Sequence, residues 1–150
     1  MKPIDLDLLW ACQDHGAVHG IRYQWGAKPA LDATTDQIDE SDCSGWVRYL
    51  FGRQGITTLP EGSQQQMDYF KAAGLPETSD YAAVGGSPAG ELFICFALDL
   101  SAQGSHPGHV WGCENGETLE CHGGAGVDSR PWNTGVLRRI FHVAYRLPVA

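Results

Sequence analysis

The chain has 150 residues, of which 43% are hydrophobic and 19% are charged, and its formal net charge is −8 at pH 7. This length and composition predict one globular domain over residues 1–150, and we expect a monomer. The negative charge argues against nucleic acid and against anionic membrane surfaces as partners, because both require a basic patch. No apolar run in the sequence approaches the ~18 residues of a membrane span.

The residues at the start of the chain and the cysteines indicate the compartment. The first ten residues contain one Lys and two Asp without an uninterrupted apolar segment, which argues against a secretory signal. An odd number of cysteines without framework spacing favours free thiols in a reducing compartment over a disulfide scaffold. The five cysteines are Cys12, Cys43, Cys95, Cys113 and Cys121. We therefore expect the protein to be made in the cytoplasm.

Two helices are predicted in the first third of the chain. Apolar residues at helical spacing predict the first over residues 4–13, with two glycines ending it. The second begins near Ser44, and Ser41 and Asp42 before it are both good N-cap types. Between them, residues 20–40 show little periodicity and predict a long loop, a kind of segment that is often functional in compact domains.

A third helix is predicted over residues 63–73. Ser63 is a plausible N-cap, and Gln66 three positions later would complete a capping box. Residues 74–90 are rich in Pro, Gly and Ser and predict a loop.

Strands are predicted in the second half of the chain. Apolar or alternating runs mark residues 91–100, 109–112, 118–121 and 140–147. Residues 123–135 are predicted as a loop. Helices followed by strands indicate an α+β domain with an antiparallel sheet.

The Asn-Gly dipeptide at residues 115–116 predicts the turn of a β-hairpin. A two-residue turn there would place Glu114 opposite Glu117 and, further along the ladder, His109 opposite His122. Directly opposed residues have Cβ atoms about 4.5–5.5 Å apart, which is close enough for two imidazoles to hydrogen-bond. His109 and every second residue after it would share one face of the sheet.

Cys43 lies at or just before the first turn of the second predicted helix. Unpaired backbone N–H groups and the helix dipole favour a thiolate there, whereas the charge of Asp42 raises the pKa of a thiol. A histidine partner would be needed to stabilise the thiolate. The alternative interpretation is that Cys43 is a small buried apolar residue.

Several motifs resemble, in the same order, those of the NlpC/P60 cysteine peptidases, a papain-like family that cuts bacterial cell-wall peptides. Asp-Cys-Ser-Gly-Trp at residues 42–46 is similar to the D-C-S-G-[FW] signature of that family. The other stretches lie at residues 23–26, 59–66, 90–96 and 109–110, and are similar to Y-x-[WY]-G-G, L-P-R-x-S-x-x-Q, G-D-L-V-F-F and H-V-G. Ala27 stands in place of the second glycine, and Glu61 in place of the arginine.

The resemblance implies a papain-like fold, with N-terminal helices packed on a central antiparallel sheet, and three catalytic residues. Cys43 would be the nucleophile, His109 the general base and then acid, and His122 the residue that orients His109 through a neutral tautomer. A thiolate needs a base within hydrogen-bond reach, and the base needs a third group to orient it. We expect no cofactor and no metal.

Four further residues are predicted to contact the substrate. Tyr23 would contribute its hydroxyl, although an anchoring aromatic is an equal alternative. Ser44 and Ser63 would position the peptide. Asp42 could hold the free amine of a substrate N-terminus, as the residue before the nucleophile can in this family.

The resemblance implies hydrolysis of peptidoglycan stem peptides through a thioacyl-enzyme, most simply at the bond between γ-D-glutamate and a diamino acid. Two alternatives remain open. One is a papain-like amidase or acyltransferase acting on another amide or ester, such as the lactyl–alanine bond. The other is a non-catalytic metal-binding module that uses Cys113, Cys121, His109 and His122, which lack the short fixed spacings of zinc sites. A wall substrate outside the cytoplasm would require delivery by a phage or a secretion machine, whereas wall recycling would not.

Overall fold

A computed structural model describes residues 1–97 and 108–150. Within these ranges the protein is α+β, with five α-helices and eight strands. The helices are α1 (Leu6–His19), α2 (Cys43–Arg53), α3 (Ser63–Ala72), α4 (Tyr81–Gly85) and α5 (Gly135–Ile140). The strands are β1 (Arg22–Tyr23), β2 (Glu40–Ser41), β3 (Glu77–Thr78), β4 (Leu92–Ala97), β5 (Val110–Glu114), β6 (Glu117–His122), β7 (Gly126–Asp128) and β8 (Phe141–Leu147).

Six of these strands form one antiparallel sheet in the order β3-β8-β4-β5-β6-β7. The other two, β1 and β2, pair in parallel beside it. Among the helices in the described ranges, none is both long and apolar enough to cross a membrane.

The β5–β6 hairpin has the predicted register. Glu114 pairs with Glu117, and Cys113 with Thr118, around a turn whose residues Asn115 and Gly116 have φ angles of 50° and 77°. Positive φ at both central positions is what a two-residue type I′ turn requires, and Asn-Gly is the pair that adopts it most readily. This part of the hairpin prediction is confirmed.

The sheet separates two apolar clusters. On one face, Val110 and Leu119 pack with the helical residues Trp46 and Leu50. On the other face, Trp111 and Cys113 lie in a smaller cluster, together with Tyr81 of α4 and Leu137 of α5. Alternate residues of a strand point to opposite faces, so β5 contributes to both clusters.

The first helix is longer than predicted because Gly16 does not end it. Gly16 is buried inside α1, where a Cβ atom would lie only 2.7 Å from a ring carbon of Trp46. The glycine therefore permits the close approach of α1 to α2. The helix ends at Gly20, a C-cap residue with a φ angle of 80°. The buried Gln13 accepts a hydrogen bond of 2.7 Å from the Trp46 indole N–H.

Ser63 is not the N-cap of α3, so the predicted capping box is wrong. Gly62 occupies the N-cap position, and Ser63 is the first helical residue. The side chain of Gln66 is instead buried and donates hydrogen bonds to the carbonyls of Ser44, at 2.9 Å, and Pro60, at 2.8 Å. A tertiary contact thus replaces the local one and ties α3 to the first turn of α2.

Short elements were missed where we predicted only loops. Residues 74–90 contain β3 and α4, and residues 123–135 contain β7. Helix α5 was not predicted either. Of the predicted strand over residues 91–100, the described part forms β4, and residues 98–100 lie outside the described ranges.

Candidate active site

Cys43 is the first residue of α2, and Asp42 is its N-cap. The Asp42 carboxylate accepts a hydrogen bond of 2.6 Å from the backbone N–H of Gly45. The thiol has little exposed surface, and its Sγ atom lies 3.6 Å from the Gly108 carbonyl oxygen and 4.0 Å from the Ser63 Oγ atom. The predicted position of the cysteine at the positive end of a helix dipole is confirmed.

His109 is placed between Cys43 and the buried Glu120. The backbone carbonyl of His109 accepts a hydrogen bond of 2.9 Å from the N–H of Ala97, which fixes the residue at the start of β5. Its ring stacks on Trp111, with ring centroids 5.2 Å apart and an angle of 18° between the planes. The Nε2 atom lies 2.8 Å from Oε1 of Glu120. This leaves Nδ1 as the ring nitrogen available for interaction with the Cys43 thiol.

Glu120 has no exposed surface and is held by three side chains. Besides His109, Thr118 donates its hydroxyl to Oε2, and Arg130 donates two hydrogen bonds of 2.9 Å, one to each carboxylate oxygen. Burial raises the pKa of Glu120, but the hydrogen bonds from His109, Arg130 and Thr118 lower it to about 2. Glu120 is therefore a buried carboxylate anion that faces the imidazole.

The pKa values of Cys43 and His109 shift in opposite directions. Burial raises the pKa of Cys43, but the hydrogen bond and charge of His109 and a backbone hydrogen bond from Val110 bring it below its ordinary value. Burial lowers the pKa of His109, but its hydrogen bonds to Cys43 and Glu120 raise it to about 9. Each shift favours a thiolate beside an imidazolium, which is the reactive form of a cysteine–histidine pair.

The expected contact between His109 and His122 is wrong. The Nε2 atom of His122 lies 2.9 Å from Oδ2 of Asp128, and its Nδ1 atom lies 3.0 Å from the Gly123 carbonyl oxygen. The β5–β6 ladder runs only from the Glu114–Glu117 pair to the Gly112–Leu119 pair, and on the opposite edge of β6 His122 pairs with Gly126 of β7.

Glu120 takes the position that we assigned to His122 because of the diagonal geometry of the hairpin. It lies two residues before His122 on the same face of β6, diagonal to His109 in the predicted register. Diagonal neighbours are about 7–8 Å apart at Cα, and long side chains can span that distance. The alternation of β6 therefore indicated Glu120 as a possible partner, but the resemblance directed attention to the histidine.

A cleft of about 410 Å³ opens above Cys43 and collects the predicted substrate-binding residues. Tyr23, Asp42, Ser44 and Ser63 all line it, together with the exposed Trp25. Pairing of β1 with β2 brings Tyr23 beside Ser41, two residues before the nucleophile. Burial, followed by the negative charges of Cys43 and Asp42, raises the pKa of Tyr23 to about 12. The Tyr23 hydroxyl thus keeps its proton and can act as a donor.

Sequence reasoning missed Lys28, which also lines the cleft. Its ammonium forms an ion pair with Oδ2 of Asp42 and donates a hydrogen bond of 2.8 Å to Oγ of Ser44. Both Asp42 carboxylate oxygens therefore already have partners within the chain. Lys28 lies in the segment that we predicted as an irregular loop, where no periodic pattern indicates the direction of a side chain.

The residues considered for a metal site are not gathered together. Cys113 lies in the cluster on one face of the sheet and Cys121 in the cluster on the other. Among residues 1–97 and 108–150, no group of three or more His, Cys, Asp or Glu side chains has an arrangement that could hold a metal ion.

Comparison with solved structures finds the same fold in a Staphylococcus aureus subsp. aureus Mu50 protein, described as similar to a lipoprotein of the NLP/P60 family. The similarity covers 99% of this chain and 44% of that chain, with 19% sequence identity and a TM-score of 0.63. This chain thus spans less than half the length of that protein. The α+β architecture of helices on an antiparallel sheet therefore resembles an NlpC/P60 structure. No protein-family model and no curated protein matches the sequence.

Proposed function

We propose that this protein is a cysteine peptidase that hydrolyses peptidoglycan stem peptides through a thioacyl-enzyme on Cys43. The observation that carries the proposal is the chain of contacts from Cys43 to His109 to Glu120 at the base of an open cleft. The likeness to an NLP/P60 structure supports the general class of a peptidoglycan-related hydrolase. By analogy with the resembling family, we assign the bond between γ-D-glutamate and a diamino acid as the target.

In the first half of the reaction, the Cys43 thiolate attacks the carbonyl carbon of the scissile amide. The imidazolium of His109 then donates its proton to the leaving amine as the C–N bond breaks. Glu120 differs from a neutral histidine in that its negative charge stabilises the imidazolium as well as orienting the ring. In the second half, neutral His109 takes a proton from water, the resulting hydroxide displaces the thiolate, and the product acid leaves.

The tetrahedral intermediate carries a negative charge on the former carbonyl oxygen. Backbone N–H groups in the first turn of a helix lack intrahelical partners, and that of Cys43 is adjacent to the attacking sulfur. Such donors stabilise an oxyanion strongly in a site that is shielded from water. We assign the Cys43 N–H to this role and the protonated Tyr23 hydroxyl to a contact with substrate.

Digestion of purified peptidoglycan tests the proposal. The same material would be incubated separately with wild-type protein, with Cys43→Ala and with the matched control Cys12→Ala. The masses of the soluble fragments would then be measured by mass spectrometry. We expect the wild type and Cys12→Ala to release the same fragments and Cys43→Ala to release none, while circular dichroism shows all three folded. Wild-type turnover by Cys43→Ala would refute the mechanism.

The fragment masses also decide between the proposal and its alternatives. Cleavage after γ-D-glutamate leaves that residue as a new C-terminus. Cleavage at the lactyl–alanine bond releases the whole stem peptide, and acyl transfer adds the mass of the acceptor instead of water. Release of whole stem peptides would identify an amidase, and fragments that carry the mass of an acceptor would identify an acyltransferase. In either case the peptidase assignment would be wrong, and Cys43 would remain the nucleophile.

A further inference from the structure

The Lys28–Asp42 ion pair lies where a substrate would approach the residue before the nucleophile. One Asp42 oxygen accepts from the Gly45 N–H at 2.6 Å, and the other pairs with the Lys28 ammonium. The Asp42 side chain is 8% exposed and that of Lys28 is 24% exposed, so Lys28 is the more accessible of the two side chains. Both residues line the cleft, so a ligand there would meet the ion pair and not a free Asp42 carboxylate.

The backbone around Lys28 holds its ammonium in this position. The Asp42 N–H donates a hydrogen bond of 2.9 Å to the Ala27 carbonyl, which joins the Lys28 loop to the start of α2. Gly45 makes this approach possible, because a Cβ atom there would lie 2.8 Å from the Ala27 oxygen and 3.2 Å from Cδ of Lys28. The stem of Lys28 thus packs directly on the helix, and the ion pair is preorganised.

An ammonium has three N–H donors, and two of those on Lys28 are used by Asp42 and Ser44. The third has no hydrogen-bond partner among residues 1–97 and 108–150, and Lys28 lines the cleft. The third N–H of Lys28 can therefore donate a hydrogen bond to a carbonyl oxygen of the substrate. A second ammonium would meet a like charge and would find the Asp42 carboxylate already paired, an arrangement that opposes binding.

We propose that Lys28 fills the place of a substrate ammonium, so that the cleft accepts peptides whose amino end is acylated and disfavours peptides with a free amino end. This inference rests on the proposed function and names its substrate class. It reverses the preference that the sequence alone suggested, because Asp42 acts on the substrate through Lys28 and not directly. The substrate is then a stem peptide that still carries an acyl group on its first residue.

A pair of synthetic stem peptides tests the inference. Alanyl-γ-D-glutamyl-lysine would be prepared with a free amino end and with an N-acetylated one. The ratio of kcat/KM for the two forms would be measured for the wild type, Lys28→Met, Lys28→Gln and the surface control Lys71→Met, which has the same change of charge. Binding of both peptides would be measured by calorimetry in the Cys43→Ala background.

We expect the wild type and Lys71→Met to favour the acetylated peptide by at least about tenfold, since like-charge juxtaposition opposes the free amine. Both Lys28 variants remove the ion-pair partner of Asp42, which leaves its carboxylate free to pair with a substrate ammonium. They should therefore shift the kcat/KM ratio toward the peptide with a free amino end, also by about tenfold. Equal rates on the two peptides in the wild type, a preference for the free amine, or an unchanged ratio in a folded Lys28 variant would each overturn the inference.

The two measurements separate this inference from the function on which it rests. Hydrolysis with the opposite preference would refute the role of Lys28 and leave the peptidase activity standing. Tighter binding of the acetylated peptide without any hydrolysis would refute the activity and leave the role of Lys28 standing. Binding of neither peptide to the Cys43→Ala protein would overturn the inference.

Discussion

The Nε2 atom of His109 lies 2.8 Å from Oε1 of Glu120, a carboxylate with no exposed surface. The same imidazole also interacts with Cys43. Because Arg130 and Thr118 hold both carboxylate oxygens in place, the orientation of the His109 ring is fixed from the protein interior. We therefore expect the reactivity of Cys43 to depend on Glu120, which is not among the residues that line the cleft.

Exchange of Glu120 for glutamine tests this dependence directly. Glu120→Gln keeps the shape of the side chain but removes the charge that stabilises the imidazolium, and we expect kcat/KM on peptidoglycan fragments to fall by about 10²-fold. The matched variant is His122→Gln, since His122 contacts Asp128 and Gly123 instead of His109. We expect less than a threefold effect there, because the His122 side chain contacts Asp128 and does not support His109. A larger loss in His122→Gln than in Glu120→Gln would support the original assignment.

The pH dependence of hydrolysis should have two limbs. Activity rises with pH as the Cys43 thiolate forms, at a pKa below its ordinary value of 9.0, and falls as His109 loses its proton near pH 9. In Glu120→Gln the imidazolium loses a stabilising charge, so the pKa of His109 falls and the alkaline limb moves to lower pH. His109 then stabilises the Cys43 thiolate less, so the pKa of Cys43 rises and the acid limb moves to higher pH. The profile should narrow from both sides, and a profile of unchanged width would contradict the assigned role of Glu120.

Some of the site follows from local sequence rules, and the rest depends on tertiary contacts. Capping and periodicity within a few residues place Asp42 among the N-cap candidates and Cys43 at or just before the first turn of α2. The turn at Asn115 and Gly116 determines the register of β5 and β6 because its geometry is local. These features were predicted correctly.

The missed features depend on contacts between distant segments. Lys28 contacts Asp42, which lies 14 positions later in the chain. The Gln66 side chain was assigned to a local cap, but it satisfies carbonyls of Ser44 and Pro60 instead. Glu120 was accessible from the register, yet choosing it over His122 required the knowledge that the His122 side chain contacts Asp128. Short elements depend on their neighbours: β7 pairs with β6, and α4 packs against the sheet. Their sequences alone carry little indication of secondary structure.

Gly45 should tolerate no side chain. A Cβ atom there would lie 2.7 Å from Oδ1 of Asp42 and 2.8 Å from the Ala27 carbonyl oxygen. We expect Gly45→Ala to lower the free energy of unfolding by about 1–3 kcal/mol through overpacking and the weakened N-cap, and to reduce hydrolysis. Gly123→Ala is the control, since a Cβ atom there would have no heavy atom within 4 Å in residues 1–97 and 108–150, apart from its chain neighbours. Urea unfolding of both variants checks this, and equal stability of the two would contradict it.

Gln66 should be required for the attachment of α3 to the nucleophile helix. Gln66→Ala removes hydrogen bonds to two carbonyl groups and leaves both acceptors without this donor, so we expect a loss of about 2–4 kcal/mol in the free energy of unfolding. Gln64→Ala on the same helix removes only an exposed contact with Asp68 and should cost less than about 0.5 kcal/mol. Thermal and urea unfolding would measure both. A Gln66→Ala protein as stable as Gln64→Ala would show that these hydrogen bonds contribute little.

The central claim, that Cys43 is the activated thiol, is tested most directly by the relative rates at which the five cysteines react with iodoacetamide at neutral pH. Burial raises the pKa of Cys12 and Cys95, raises that of Cys113 to about 12 and raises that of Cys121 further, whereas the contact with His109 lowers the pKa of Cys43. Time-resolved peptide mapping by mass spectrometry should therefore show Cys43 alkylated first, with its rate falling in His109→Gln. Faster alkylation of the half-exposed Cys12, or a Cys43 rate that does not respond to loss of His109, would contradict the account.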